Sequence, residues 1–211
     1  MKSNILIILI ILYQILFFNK VFAKEIEFDA SDIEIRDNQN LTIANNGIAK
    51  IKDDQIILEG VKIKYFKNQS LIIVSQGKIS KTDINLKIKS ETIRYNIKDG
   101  KINLVDNVRI DDEINDLIIF SERIDYDITN QKIFSKSITK ILDEFDNTYK
   151  VNGFEYSTKD KIIKLDNSKV SDKNNNTFDL EIAYLDLNKK EIIAKDIGLN
   201  FKISENSENE P

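Results

Sequence analysis

Residues 93–110, IRYNIKDGKINLVDNVRI, decide the fold of this chain. Apolar and polar residues alternate on both sides of the tripeptide Lys98-Asp99-Gly100. A period of two indicates half-buried β-strands, whereas a helix would repeat its apolar face every 3.6 residues. The Asp-Gly pair between the two alternating runs is typical of a tight turn. The segment therefore predicts two antiparallel strands joined by a hairpin.

The same unit recurs through most of the 211-residue chain. One apolar or aromatic position, always followed by a polar turn, returns every 29–31 residues. The six positions are Ile35, Tyr65, Tyr95, Tyr126, Tyr156 and Leu185. Six copies of about 30 residues fill residues 26–203 and leave no room for a separate catalytic domain. The sequence predicts an all-β protein, an elongated β-jellyroll or sandwich of about twelve antiparallel strands.

The alternation slips by one residue near the middle of the longer strands. The apolar or small residues at 56, 58 and 60 are followed by apolar residues at 61, 63 and 65, and similar slips occur at Gly153–Phe154 and Ile182–Ala183. Because a one-residue slip changes which side chains face inward, it predicts a bulge or corner where a strand passes between two sheet layers. A right-handed β-helix would hold one phase without hairpin turns, so it is the less favoured architecture.

Residues 1–23 have the pattern of an export signal. Lys2 precedes an apolar run over residues 5–18, and Val21-Phe22-Ala23 leads to a predicted cleavage between Ala23 and Lys24. The run is shorter than the roughly 20 residues that span a bilayer. A cleaved signal is therefore expected, with a retained membrane anchor as the alternative. The remaining chain divides into a β-domain over residues 24–203 and an acidic polar tail over residues 204–211.

The composition excludes several kinds of chemistry. The chain has no His and no Cys, so it lacks the residues of Ser-His and Cys-His nucleophilic sites and of common zinc sites. Its net charge of −4, without a basic cluster, disfavours a nucleic-acid partner. The acids Asp111, Asp112, Glu113 and Asp116 lack the spacing of a calcium loop and are interpreted as a solvated turn. We expect no metal, no cofactor and no enzyme activity, since a glycan-active enzyme would need paired carboxylates in a cleft.

The repeated unit resembles that of a known family. IRYNIKDGKINLVDNVRI from Ile93 and IDYDITNQKI from Ile124, behind an export signal, are similar to the OstA/LptA-like β-jellyroll. That module is shared by the periplasmic lipopolysaccharide-transport proteins LptA and LptC and by the N-terminal periplasmic domain of the outer-membrane translocon LptD. The resemblance weakens in the first and last units, where Ile35 and Leu185 replace tyrosine.

The resemblance implies a periplasmic transport module that binds lipopolysaccharide. It also implies that this module can associate with the outer membrane. Lipid A acyl chains would lie in an apolar groove, and strand edges would pair with other jellyroll proteins of the transport bridge and with the outer-membrane translocon. The groove candidates are Ile63, Tyr65, Ile72, Ile93, Tyr95, Ile102, Val108, Ile110, Ile124, Tyr126, Ile133, Phe154 and Tyr156. Both a stand-alone LptA-type carrier and a truncated N-terminal region of LptD stay open, while the predicted cleavage site disfavours LptC.

Each groove candidate also has a plainer interpretation as an ordinary core residue. The recurring tyrosines predict a stacked aromatic ladder, with a contact to the lipid head group as the alternative. A chain with a tightly closed interior would be a periplasmic or surface scaffold that binds only protein partners through its strand edges. An interior wide enough for an acyl chain would instead favour lipid transport.

Overall fold

The computed structural model describes residues 24–200 of the chain. The predicted signal segment over residues 1–23 and the predicted tail over residues 204–211 lie outside the described residues. The described part forms a single antiparallel sheet of thirteen strands. Over residues 24–200 there is no helix with the length and apolar character needed to cross a membrane. The strands are β1 (Ile26–Arg36), β2 (Leu41–Ile51), β3 (Ile56–Phe66), β4 (Leu71–Lys81), β5 (Leu86–Asn96), β6 (Lys101–Asp112), β7 (Leu117–Asp127), β8 (Lys132–Ser135), β9 (Thr139–Leu142), β10 (Thr148–Ser157), β11 (Ile162–Ser171), β12 (Thr177–Asp186) and β13 (Glu191–Asn200).

The strands follow one another across the sheet in chain order. Only β8 and β9 depart from this rule, because together they fill one strand position between β7 and β10. Counted by position, successive strands begin 14–16 residues apart. Short turns join them because the alternating runs end at Asn, Asp, Gly and Lys residues. The predicted all-β fold of about twelve antiparallel strands is confirmed.

The long strands bend near their middles, and the bends line up as what we call the spine. Residues with positive φ mark the bend in four strands: Asn46 in β2, Gln76 in β4, Asp106 with Asn107 in β6, and Asn167 in β11. Asn and Asp tolerate this left-handed conformation better than most residues. The bend therefore has a local cause in the sequence.

The predicted mid-strand slip is confirmed at the spine. In β3, Leu58 and Ile63 are both buried although they are an odd number of residues apart, and Val61 between them is exposed. The ladder between β5 and β6 shifts register between Lys89 and Thr92, which is a β-bulge.

Small residues permit the close approach of strands at the spine. A Cβ atom on Gly60 would lie 2.2 Å from Cγ1 of Val74 in β4, and one on Gly77 would lie 2.7 Å from Cδ1 of Ile93 in β5. At the next bend, Ser90 Oγ donates to the Val105 carbonyl at 2.7 Å and accepts from the Val105 N–H at 3.2 Å. The hydroxyl thereby satisfies backbone groups that the bulge leaves unpaired.

The bends fold the sheet over itself, so that its two rows of turns face each other. The first turn row joins β1 to β2, β3 to β4, β5 to β6, β7 to β8, β10 to β11 and β12 to β13. The second turn row joins β2 to β3, β4 to β5, β6 to β7, β9 to β10 and β11 to β12. Neighbouring turns within a row are hydrogen-bonded, as Lys67 N–H to Asn40 O at 2.8 Å in the first and Thr82 N–H to Gln55 O at 3.1 Å in the second.

The apolar core lies between the two layers of the folded sheet. It is one continuous cluster of buried side chains that runs from Ala44 to Leu185. Because both layers belong to the same hydrogen-bonded sheet, the molecule is an elongated jellyroll formed by folding one sheet lengthwise.

Candidate functional site

A row of alternating tyrosine and isoleucine side chains runs across the sheet beside the first turn row, and we call it the mouth row. Strand register places these residues opposite one another from β3 to β12. The row consists of Tyr65, Ile72, Tyr95, Ile102, Tyr126, Ile133, Tyr156, Ile163 and Leu185. Since adjacent strands are about 4.8 Å apart, tyrosines two strands apart are separated by about 10 Å. The predicted stacked ladder of tyrosines is therefore wrong, because an isoleucine lies between each pair.

The thirteen groove candidates all face the interior. Seven of them belong to the mouth row, and Ile63, Ile93 and Ile124 form part of the next row toward the spine. Val108 and Ile110 lie in the opposite layer, beyond the bend of β6, and Phe154 lies beside the bend of β10. Tyr65 is half-buried, and the other twelve candidates are at most 2% exposed. The structure brings the candidates together in one closed interior.

Tyrosine hydroxyls of the mouth row reach across to the second turn row. Tyr95 donates to Asp54 in the turn between β2 and β3. Tyr156 donates to Asp112 Oδ2 at 2.5 Å and accepts from Asn115 Nδ2 at 3.0 Å. These contacts join residues 41–44 positions apart in sequence and define a line that we call the seam.

Burial keeps these hydroxyls protonated to a higher pH than an ordinary tyrosine. It raises the pKa of Tyr95 and of Tyr156 above the ordinary value of about 10, and the hydrogen bond to an aspartate raises each pKa further. Both tyrosines therefore remain hydrogen-bond donors at neutral pH. The Tyr95–Asp54 and Tyr156–Asp112 contacts each join a neutral hydroxyl to a carboxylate, and such a bond is stronger than a bond between two neutral groups.

Tyr126 lies in the mouth row between Tyr95 and Tyr156 but makes no bond across the seam. Its side chain is 1% exposed, and its hydroxyl has no hydrogen-bond partner among the residues that the structure describes. The acid in the facing turn, Asp83, is instead held by Lys81, whose Nζ lies 2.8 Å from both carboxylate oxygens. Lys81 is itself buried and also donates to the Asp54 carbonyl at 3.0 Å. The seam is thus unbonded at its central tyrosine.

The seam is open toward β13, where a cleft of about 360 Å³ separates the β9–β10 turn from the β12–β13 turn. Leu185 occupies the mouth-row position here, and it lines the cleft together with Tyr149. Both side chains are buried, so the apolar core reaches the surface at this point. The Tyr149 hydroxyl, which lies outside the mouth row, donates to Asp143 Oδ2 at 2.7 Å. Across the cleft, Lys190 Nζ pairs with Glu144 Oε2 at 2.9 Å.

The acidic turn at residues 111–116 differs from its sequence-based interpretation. Asp112 is 4% exposed and accepts the backbone N–H groups of Ile114 and Asn115 as well as the Tyr156 hydroxyl. The prediction of a solvated turn is therefore wrong for Asp112, although Ile114 beside it is half exposed. Within residues 24–200, no group of three or more acidic side chains is arranged to hold a metal ion. The bonded acid lies 41 residues before Tyr95 and 44 before Tyr156, but Asp83 lies 43 residues before the unbonded Tyr126, so the sequence offset alone does not identify the seam bonds.

Comparisons with known proteins give a distant likeness among solved structures. No protein-family model matches the sequence, and no curated protein matches it. Among solved structures, the chain is similar to the crystal structure of LptH, the LptA-homologous periplasmic component of the lipopolysaccharide transport device from Pseudomonas aeruginosa. The two are 14% identical, the match covers 68% of this chain and 82% of that chain, and the TM-score is 0.28. A likeness this distant does not transfer a function.

Proposed function

We propose that this chain is a periplasmic lipopolysaccharide-binding transport module. In this proposal it shelters lipid A acyl chains between the two layers of its folded sheet and passes lipopolysaccharide toward or into the outer-membrane translocon. The observation that carries the proposal is the seam. A continuous apolar interior is closed along one side by side-chain contacts, and no β-ladder joins the two turn rows within residues 24–200.

The energies of burial and of seam opening support this proposal. An acyl chain of lipid A length costs about 10 kcal/mol to expose to water, at about 0.8 kcal/mol per methylene. A hydrogen bond to a charged group contributes about 1.5–3 kcal/mol, so parting two such bonds costs about 3–6 kcal/mol. Shelter for one acyl chain therefore exceeds the loss of the Tyr95 and Tyr156 bonds. The ladders across the spine stay intact when the layers part.

The ends of the sheet support the part of the proposal that concerns partners. Within the described residues, β1 pairs only with β2 and β13 pairs only with β12, so each end has a free strand edge. A free edge can accept a strand from another protein. We propose that other jellyroll proteins of the transport bridge, and the translocon, bind at these edges. Both an LptA-type carrier and an N-terminal region of LptD are compatible with two free edges.

A second candidate function is favoured by the closed interior. Twelve of the thirteen groove candidates are at most 2% exposed, which is the packing expected of a scaffold that binds protein partners through its edges alone. The scaffold and the transport module differ in one respect: the transport module's layers must part to admit lipid.

The experiment that separates the two functions is retention of lipopolysaccharide without detergent. The purified chain is mixed with lipopolysaccharide and run over a size-exclusion column, and competition is measured with isolated lipid A and with lipid-free polysaccharide. We expect co-elution that lipid A abolishes and polysaccharide does not. A folded chain that elutes free of lipopolysaccharide would favour the scaffold, and competition by polysaccharide would favour a glycan-binding protein.

A further inference from the structure

We propose that a single fatty acyl chain enters the interior through the cleft at Leu185, tail first. This proposal rests on the proposed function and adds the place of entry. Leu185 is the mouth-row position at which the last repeated unit has no tyrosine, so no hydroxyl is available there to bond to the facing acid, Asp143. Asp143 is instead bonded to Tyr149, on its own side of the seam.

Apolar side chains surround the opening. Ile114, Phe145 and Ile192 line the cleft, and each is about half exposed, at 51%, 50% and 47%. Large apolar side chains scattered singly on a surface are ordinary, whereas these three are grouped around one opening. Leu185 and Tyr149 continue this apolar path into the buried core. The cleft volume of about 360 Å³ is within the range of small-ligand sites, roughly 300–1,000 Å³.

The negative charge of the cleft favours entry of the hydrocarbon tail of a lipid over entry of its anionic head group. Its lining contains the acids Asp116, Asp143, Glu144, Asp186 and Glu191 but only two lysines, Lys161 and Lys190. An anionic head group would be repelled by this excess of carboxylates, whereas an uncharged hydrocarbon tail would not. The Lys190–Glu144 ion pair across the opening is exposed on the lysine side, and such pairs resist opening only weakly.

The absence of tryptophan from the sequence allows a local test. Phe145→Trp places a single fluorescent reporter on the rim of the cleft, and Ile138→Trp places one on a 77% exposed residue between β8 and β9, at the spine. Each full-length variant is titrated with a fatty acid brominated near the middle of its chain. We expect saturable quenching of the rim reporter and at least about fivefold less quenching of the spine reporter. Equal quenching at both positions would mean adsorption to the surface and would overturn the proposal.

Two variants in the Phe145→Trp background test the path itself. Leu185→Tyr supplies the missing hydroxyl beside Asp143 and should weaken binding about fivefold or more, whereas Leu185→Phe, without a hydroxyl, should weaken it less. Ile192→Glu adds a carboxylate at the exposed rim without altering the core, and it should weaken binding. This variant keeps the test valid if circular dichroism shows that Leu185→Tyr does not fold. Unchanged affinity in a folded Ile192→Glu variant would overturn the entry site.

The outcome also separates this proposal from the proposed function. Lipopolysaccharide retained by the chain, with no quenching of the rim reporter, would refute entry at Leu185 and leave the transport function standing. Absence of both retention and quenching would refute the two together.

Discussion

Tyr126 and Tyr156 occupy equivalent positions in the mouth row, but their hydroxyls have opposite surroundings. Tyr156 donates to Asp112 and accepts from Asn115, whereas the Tyr126 hydroxyl is buried without a hydrogen-bond partner among the described residues. Burial raises the pKa of both tyrosines, so both hydroxyls are protonated and carry a proton to donate. The pair therefore separates the effect of the seam bond from that of the buried ring.

We expect Tyr156→Phe to lower the free energy of unfolding by about 1–3 kcal/mol, because the buried Asp112 carboxylate loses a donor. The matched change Tyr126→Phe removes a hydroxyl with no bond, so the free energy of unfolding should stay constant or rise. Urea unfolding followed by circular dichroism measures both. A loss in Tyr126→Phe as large as that in Tyr156→Phe would show that the seam bond is not the cause.

The sequence predicts the alignment of the tyrosines but not their bonding partners. Alignment follows from the constant spacing of Tyr65, Tyr95 and Tyr126, since hairpins of equal length place equivalent residues side by side. The contact between Tyr95 and Asp54 depends on how far the sheet folds over, which no local pattern encodes. The aromatic ladder failed as a prediction because the intervening strand places Ile102 between Tyr95 and Tyr126.

At the scale of a single strand, the fold depends on the bend near the middle of the strand. Bulges with positive φ, such as that at Asn107 in β6, redirect the strand, and small residues let its neighbours approach. The slip in apolar phase predicted the bends of β3, β10 and β12, at residues 60–61, 153–154 and 182–183, but not the bulge at Asn107. The break between β8 and β9 was not revealed, because Ser137 and Ile138 continue an apparently alternating pattern although Ile138 is exposed.

We expect Gly60→Ala to lower the free energy of unfolding by about 1–3 kcal/mol, as is typical of overpacked cores. The added Cβ would lie 2.2 Å from Cγ1 of Val74, whose fully buried side chain has little space to move. Gly198→Ala is the control, because its Cβ would meet Asp179 at an ordinary 3.6 Å; it should change stability by less than about 0.5 kcal/mol. Thermal or urea unfolding compares the two, and equal losses would contradict the role of the spine.

At the scale of the whole molecule, the two layers of the folded sheet are held together differently along their two sides. Backbone hydrogen bonds of the strands continue through the spine, whereas, among the described residues, only side-chain contacts close the seam. Because no ladder joins the two turn rows within residues 24–200, the seam contacts can part without breaking strand pairing. The all-β class and the hairpins were predictable from sequence because hairpins are local. The pairing of turns across the seam depends on the angle at which the strands bend. The opening of the seam depends on single positions, such as Leu185, where a repeated unit has no tyrosine.

The shelter of acyl chains between the two layers is tested most directly with the unmodified chain and lipopolysaccharide that carries a diazirine in its acyl chains. After irradiation in detergent-free buffer, labelled residues are mapped by mass spectrometry. We expect labels concentrated on the interior, at mouth-row residues such as Ile102, Tyr126 and Ile133. Labels confined to exposed apolar residues outside the interior, such as Ile35 and Ile138, on a chain that remains folded, would contradict it.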